Sequence, residues 1–321
     1  MKTLRPFVPP ALFGALLSLL SASPAFAQED DTQPQSEAEI VVEGDTNLRE
    51  RRNELRQLAQ DVLNKPRISQ TIAKFAEPMC PRVFGLTEEA AKVIEARMRE
   101  NAVSLGLNRV DVPEDCKHNT SVIFVPQEQG TADTWFNSRS DVLRHLKSYE
   151  RIRVLEEKDP VRAWTYRPAR LPGPVAVPTS QGSAGDRLAF ADGPNQSYYA
   201  SRLRRKPNPL AGATVLIELG RADGKSLTQL ADYASMRTFG NARALSPEEV
   251  PAADTILTLF QDEDAPEELT DFDRSLVSML YETSPTASRS LFYGNIARRA
   301  VRLEGEESEG EDPNSAYGAK E

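Results

Sequence analysis

Apolar residues recur at helical spacing in some stretches of this chain and at strand spacing in others. Over residues 48–63, Leu48, Leu55, Leu58 and Val62 share one helix face and the opposite face is charged. Residues 67–76 alternate weakly through Ile68, Ile72 and Phe75, which predicts a strand. Pro78 and Pro81 bracket Cys80 and mark a loop. The next predicted helix, 87–105, has Thr87 as N-cap and Glu88 and Glu89 at the positive end of its dipole. Ala90, Ile94, Met98 and Leu105 form its apolar stripe, and Gly106 is its stop. Residues 121–125 (SVIFV) read as a strand, so 67–125 resembles a βαβ-type unit.

Further along, residues 139–150 predict a short helix through Val142, Leu143, Leu146 and Tyr149, and residues 161–166 (VRAWTY) alternate as a strand. From 167 to 212 periodicity is lost and prolines recur at 168, 172, 174, 178, 194, 207 and 209. A loop of that length inside a domain is usually functional or mobile. Residues 213–219 (ATVLIEL) are an apolar strand, followed by an Asp223-Gly224 turn. Ser226-x-x-Gln229 is a capping box opening the helix SLTQLADYASMR, and Thr270-x-x-Asp273 starts the helix TDFDRSLVSMLY. The short apolar segment 254–260 lies between them, and Ser284-Pro285 begins a last helix running to about Leu303. These elements predict an α+β fold, with a mixed α/β arrangement as the alternative. One main domain over 48–303 would be built on a mixed sheet, with helices in its C-terminal part and a point of subdivision near the loop 167–212.

Composition changes this picture chiefly at the ends. Lys2 and Arg5, the apolar run Phe7 to Leu20, and Ala25-Phe26-Ala27 make the three-part pattern of a signal peptide over 1–27, cut between Ala27 and Gln28. Pro9, Pro10 and Gly14 break the run, which falls short of the about 20 apolar residues that a membrane span needs. No later run is longer, so no span is expected in the mature chain and the expected location is periplasmic or secreted. Residues 28–47 hold seven acids and no Lys or Arg, and residues 304–321 hold seven acids and one Lys. Both read as disordered acidic segments. The chain as a whole carries −9, but setting aside its two ends and the signal leaves residues 48–303 near +2. Such a near-neutral centre offers no broad face for neutralising phosphates, so nucleic acid is not an expected partner.

Cys80 and Cys116 are the two cysteines, and a pair in an exported chain most often forms one disulfide. Closing that loop stabilises by about 4 kcal/mol on the chain-entropy estimate. The two histidines, His118 and His145, lie 27 residues apart, so the HExxH arrangement, which sets two imidazoles one turn apart on one ion, is absent. No G-x-S-x-G elbow, no G-x-x-x-x-G-K-[ST] loop and no G-x-G-x-x-G turn occurs. The acidic run Asp262-Glu263-Asp264 lacks the spacing of an EF-hand loop and reads as a solvated connector. Arg202-Leu203-Arg204-Arg205-Lys206 is a solvated basic face or a contact for an anion. No catalytic, cofactor-binding or metal-binding residue is assigned, and no cofactor is expected.

LTQLADYASMRTFG, DTILTLF and LTDFDRSLVSMLYE follow one another in the C-terminal part. In that order, within residues 120–300, they resemble a family of secreted bacterial proteins of unknown function. More distantly the order is similar to zincin-type metallopeptidase-like proteins, which carry His and Glu on the helix that here reads SLTQLADYASMR. Here no His lies between 226 and 240 and Asp232 is the only acid on that helix, which alone does not hold catalytic zinc. The resemblance therefore implies a shared scaffold without its metal site, with Gln229, Asp232 and Arg237 lining a remnant groove. Read from the residues alone, the same three are a capping glutamine and two exposed charges. The expected function is a non-enzymatic periplasmic or secreted binding or assembly protein, its partner an envelope protein or a small ligand. The alternative is a hydrolase with an acid-based site, drawn from dispersed carboxylates or from the loop 167–212.

Overall fold

The computed structural model of the chain describes residues 43–64, 71–139, 141–157, 160–167, 208–245, 255–284 and 287–310. The signal segment with its Ala27–Gln28 cut, the leader up to 42, residues 168–207 with their basic run, and the acidic end beyond 310 lie outside these residues. Helix α1 (Glu43–Val62) starts inside the stretch read as a leader to 47. It turns Leu55, Leu58, Ala59 and Val62 into the core.

Of the strand expected over 67–76, the described part is extended only at β1 (Lys74–Phe75). The strand leading into the βαβ unit is instead β2 (Pro81–Phe84). Pro81 is its first residue and β2 is a sheet edge, a place where a missing N–H is tolerated. Gly85 (φ +89°) makes the tight turn that follows, and a side chain there would clash with the Phe124 carbonyl. Helix α2 (Glu88–Ser104) is capped by Thr87, whose Oγ1 accepts the Ala90 N–H at 3.4 Å, and stops ahead of Gly106 (φ +81°). Strand β3 (Thr120–Val125) then runs parallel to β2. The disulfide Cys80–Cys116, with Cα atoms 6.1 Å apart, ties together the segments leading into β2 and β3. Asn119 and Thr120 both donate their N–H groups to the Cys80 carbonyl, at 3.1 and 3.2 Å. Glu95 of α2 accepts the Val83 N–H at 2.8 Å, which closes part of the open edge of β2.

Helix α3 (Ala132–Ser138) has no counterpart in the sequence pattern, and the helix expected at 139–150 lies later, as α4 (Ser148–Glu156). The reason is local. Leu143 and Leu146 sit in consecutive turns three residues apart, and that spacing imitates a helix. Helix α3 is short, and the burial of Trp135 and Phe136 stabilises it through tertiary packing rather than through its own periodicity.

Strands β4 (Val161–Tyr166), β5 (Pro209–Leu210) and β6 (Gly212–Glu218) complete two sheets. Strand β5 pairs in parallel with β1. The main sheet has the order β2-β3-β6-β4, with β6 parallel to β3 and antiparallel to β4. Alternate residues of β6 serve two cores. Ala213, Val215 and Ile217 face the larger core, and Leu216 joins Trp135, Phe136, Val154 and Trp164 in the smaller one. Burial on both faces is why this strand reads as an unbroken apolar run.

Helix α5 (Leu227–Thr238) packs beside α2 and over β6 and β4. Its capping box is formed on both sides: Ser226 Oγ accepts the Gln229 N–H at 3.0 Å, and Gln229 Oε1 accepts the Ser226 N–H at 3.0 Å. Helix α6 (Asp271–Glu282) opens with the equivalent box of Thr270 and Asp273. Helix α7 (Arg289–Gly310) packs on α1 and α6 and runs past Leu303 into the acidic stretch. Its extension is anchored by Arg51 of α1, which donates twice to Glu304, at 3.1 and 2.9 Å. The fold is α+β around a mixed sheet, and no described helix is long and apolar enough to cross a membrane.

Candidate functional site

Every residue from Leu230 to Gly240 is buried, so the two charges of this stretch, Asp232 and Arg237, are buried as well. This corrects the expectation that, outside a groove, they would be exposed. Leu230, Ala231, Ala234 and Met236 are buried in the core, and the polar side with Asp232 and Ser235 is covered by Asn101 of α2, so this stretch is enclosed all round. The three candidate groove residues also separate. Gln229 caps its own helix and donates Nε2 to the Pro266 carbonyl at 3.0 Å. Asp232 is sealed between α2 and α5. Arg97 donates Nε and Nη2 to its two oxygens at 2.9 Å each, Asn101 donates at 2.6 Å, and the Leu269 N–H donates at 2.9 Å. The hydrogen bond to Asp232 raises the Arg97 pKa, even though burial opposes it. Of the three, Arg237 alone reaches a cavity.

That cavity is a cleft of about 850 Å³ at the carboxyl end of β6, between α4, the start of β4 and the segment 242–245 that follows α5. Ligands of open α/β sheets sit in this kind of crevice, outside the carboxyl ends of strands. The volume falls among small-molecule sites, which span about 300–1,000 Å³. Four arginines line it: Arg153 from α4, Arg221 from the 3-10 turn after β6, Arg237 from α5, and Arg243. The acids in the wall are Glu156 and Glu157, and Tyr149, Ile152, Ala163, Leu245 and Phe260 give it an apolar lining.

The arginines have different commitments. Arg237, with 2% of its surface exposed, donates to Tyr233 OH and to Glu157 Oε1, each at 2.8 Å, and its guanidinium lies 5.7 Å from the Tyr233 ring centroid. Arg243 closes the C-terminal end of α1: its backbone N–H donates to the Val62 carbonyl at 2.7 Å and its Nε to the Asp61 carbonyl. Arg153 donates to Asn64 Oδ1, a neutral partner, and Asn64 is held by the left-handed turn at Asn241 (φ +51°). Burial among protein atoms lowers the Arg153 pKa even though the side chain keeps access to solvent; Glu157 opposes this shift and Arg237 adds to it. Arg221 is exposed at the rim. Neither Arg153 nor Arg221 has a carboxylate within ion-pair distance among the described residues.

Sequence reasoning missed this site. On α4, Tyr149, Ile152 and Leu155 stay at least two-fifths exposed although all three are large and apolar, which only the folded chain reveals. Among the described residues no three of His, Cys, Asp and Glu are placed so that they could hold a metal ion. His118 meets the Phe84 ring edge-on at 6.2 Å, and His145 is exposed in the turns before α4. Asp273 is the carboxyl pushed furthest toward a working pKa, to about 6, because it is fully buried; hydrogen bonds from Ile256, Thr255 and Thr270 pull it back down. It lies under the N-terminus of α6 and not in the cleft. Compared with known proteins, the chain matches no family model, no curated protein and no solved structure.

Proposed function

We propose that this chain is an exported, non-enzymatic binding protein whose ligand occupies the cleft between α4, α5 and β4. One observation carries the reading: guanidiniums and apolar side chains share a single recess of small-molecule size. Acid-based hydrolysis needs two carboxyls facing one substrate position. Here Glu156 and Glu157 are chain neighbours, Glu157 is engaged by Arg237, and the acid with the raised pKa is sealed elsewhere. The three-part N-terminal pattern and a disulfide, which persists in oxidising compartments, support export. The resemblance to secreted proteins, and to a peptidase-like scaffold without its metal histidines, agrees with a binding role.

The test is a small-molecule screen by ligand-observed NMR, run in parallel on the parent and on Ala244→Trp. Ala244 is half-buried at the cleft, and an indole there projects bulk into it. Compounds should bind the parent and lose binding in the variant. An identical set of binders for both proteins would place recognition elsewhere. Turnover of peptide, ester or glycoside substrates that disappears in Glu156→Gln would replace the reading with the hydrolase.

A further inference from the structure

We infer that the cleft takes an organic anion: an oxyanion head, carboxylate or phosphate, on an apolar body, with Arg153 and Arg221 holding the head. The inference rests on the cleft being the binding site, and it adds the chemistry of what binds. Charge in the cleft favours an anion. Among the described residues, four arginines face two glutamates around one recess, an excess of two positive charges. Arg237 is taken up by Glu157 and Tyr233, and Arg243 by the end of α1. Arg153 and Arg221 remain, from opposite sides of the chain's fold order, with no carboxylate at ion-pair distance among the described residues.

A guanidinium presents a planar fork of donors that matches the two oxygens of a carboxylate or phosphate. Arg153 keeps its side chain exposed, but crowding by protein atoms and then the neighbouring cations Arg237 and Arg167 lower its pKa, against Glu157 and Glu150. An anion in the cleft relieves that opposition; a cation would add to it. Ile152 is half exposed on the cleft side of α4, and Leu245 and Phe260 line the same recess, so the head has an apolar surface beside it. A bare inorganic anion would leave that surface wet.

Isothermal titration calorimetry on the purified protein with five probes tests this: octanoate, octyl phosphate, octanol, octylammonium and inorganic phosphate. Octanoate or octyl phosphate should bind, and whichever is tighter names the head. Octanol should bind at least tenfold more weakly, octylammonium not at all, and inorganic phosphate at least tenfold more weakly than octyl phosphate. Arg153→Gln and Arg221→Gln should each weaken the anions about tenfold and leave octanol unchanged, with Arg221→Gln free of folding effects because that side chain is exposed. Equal binding of octanol and octanoate, or arginine variants that match the parent, would overturn the anionic head while leaving the cleft intact if Ala244→Trp still abolishes binding. Failure of both anions to bind the parent would also overturn it, and the NMR screen would then decide separately whether the cleft binds anything.

Discussion

Asp232 and Arg237 sit on the same buried helix, yet their surroundings differ in kind. At the α2–α5 seam, Asp232 receives donors from Arg97, Asn101 and the Leu269 backbone, and no solvent reaches it. At the other end of the helix, Arg237 donates to Glu157 and to Tyr233 at the edge of a cleft that holds three more arginines. Both charges are buried, so burial does not separate structure from function here. What separates them is what lies beside the paired charge: packed protein at Asp232, and a cleft at Arg237. The seam is closed and gains nothing from a ligand. The cleft holds more positive charge than it neutralises.

Breaking the closed region should have the largest effect. Asp232→Ala strands the buried Leu269 N–H, leaves Asn101 with Ser235 alone, and leaves Arg97 with only Glu268 and Glu100 at the surface. Removing one partner of a buried charge network costs about 3–5 kcal/mol. Urea unfolding should therefore show the variant close to the limit of stability. A loss under about 1 kcal/mol would mean that the seam relaxes to admit water and is not closed in the sense argued.

A second closed carboxyl should give the comparison a pH signature. Burial lifts the Asp273 pKa from 3.8 to about 6 in the folded chain. An acid whose folded pKa is raised binds more protons in the folded state, so its contribution is fully present below about pH 4 and is lost as pH rises through about 6. The change across that window is about 3 kcal/mol, at 1.36 kcal/mol per pKa unit. Asp273→Asn should remove this slope. The difference in urea midpoint between parent and variant, followed from pH 4 to 7, measures it. A flat difference would show that the donors from Ile256, Thr255 and Thr270 stabilise the anion as well as water does.

These closed sites were half legible in the sequence, and for a physical reason. Capping boxes are local: Ser226 with Gln229 and Thr270 with Asp273 are each formed within four residues, so the pattern states them directly. Strands β4 and β6 and helix α2 were legible because their apolar spacing matches the surfaces they cover. Helix α3 and the edge strand β2 were not, since Trp135 is stabilised by distant partners and Pro81 reads as a loop residue until it is known to sit at an edge. The cleft was not legible at all. Asn64, Arg153, Arg221 and Arg237 are brought together by the sheet order and the C-terminal end of α5, and each alone looks like a solvated polar residue.

At the open region, effects on stability should shrink. Arg237→Gln removes the bonds to Tyr233 and Glu157, but Glu157 keeps part of its surface in solvent and can rehydrate. A loss of about 1–2 kcal/mol is expected, from hydrogen bonds whose partners are only partly stranded. If Arg237→Gln cost as much as Asp232→Ala, the cleft end would be as closed as the seam and the contrast would fail.

The smallest change should come from Arg221→Gln, and that result bears on function most directly. Arg221 ends the 3-10 turn after β6 with an exposed side chain and no ion pair among the described residues, so its removal should shift stability by less than about 0.5 kcal/mol. A residue that contributes nothing to folding and yet lines the cleft is available for a ligand. Stability and affinity should therefore come apart at this position, with an unchanged urea midpoint and a weaker hold on octanoate or octyl phosphate. If both quantities moved together, Arg221 would belong to the same closed class as Asp232, and the excess charge of the cleft would be part of how the chain folds.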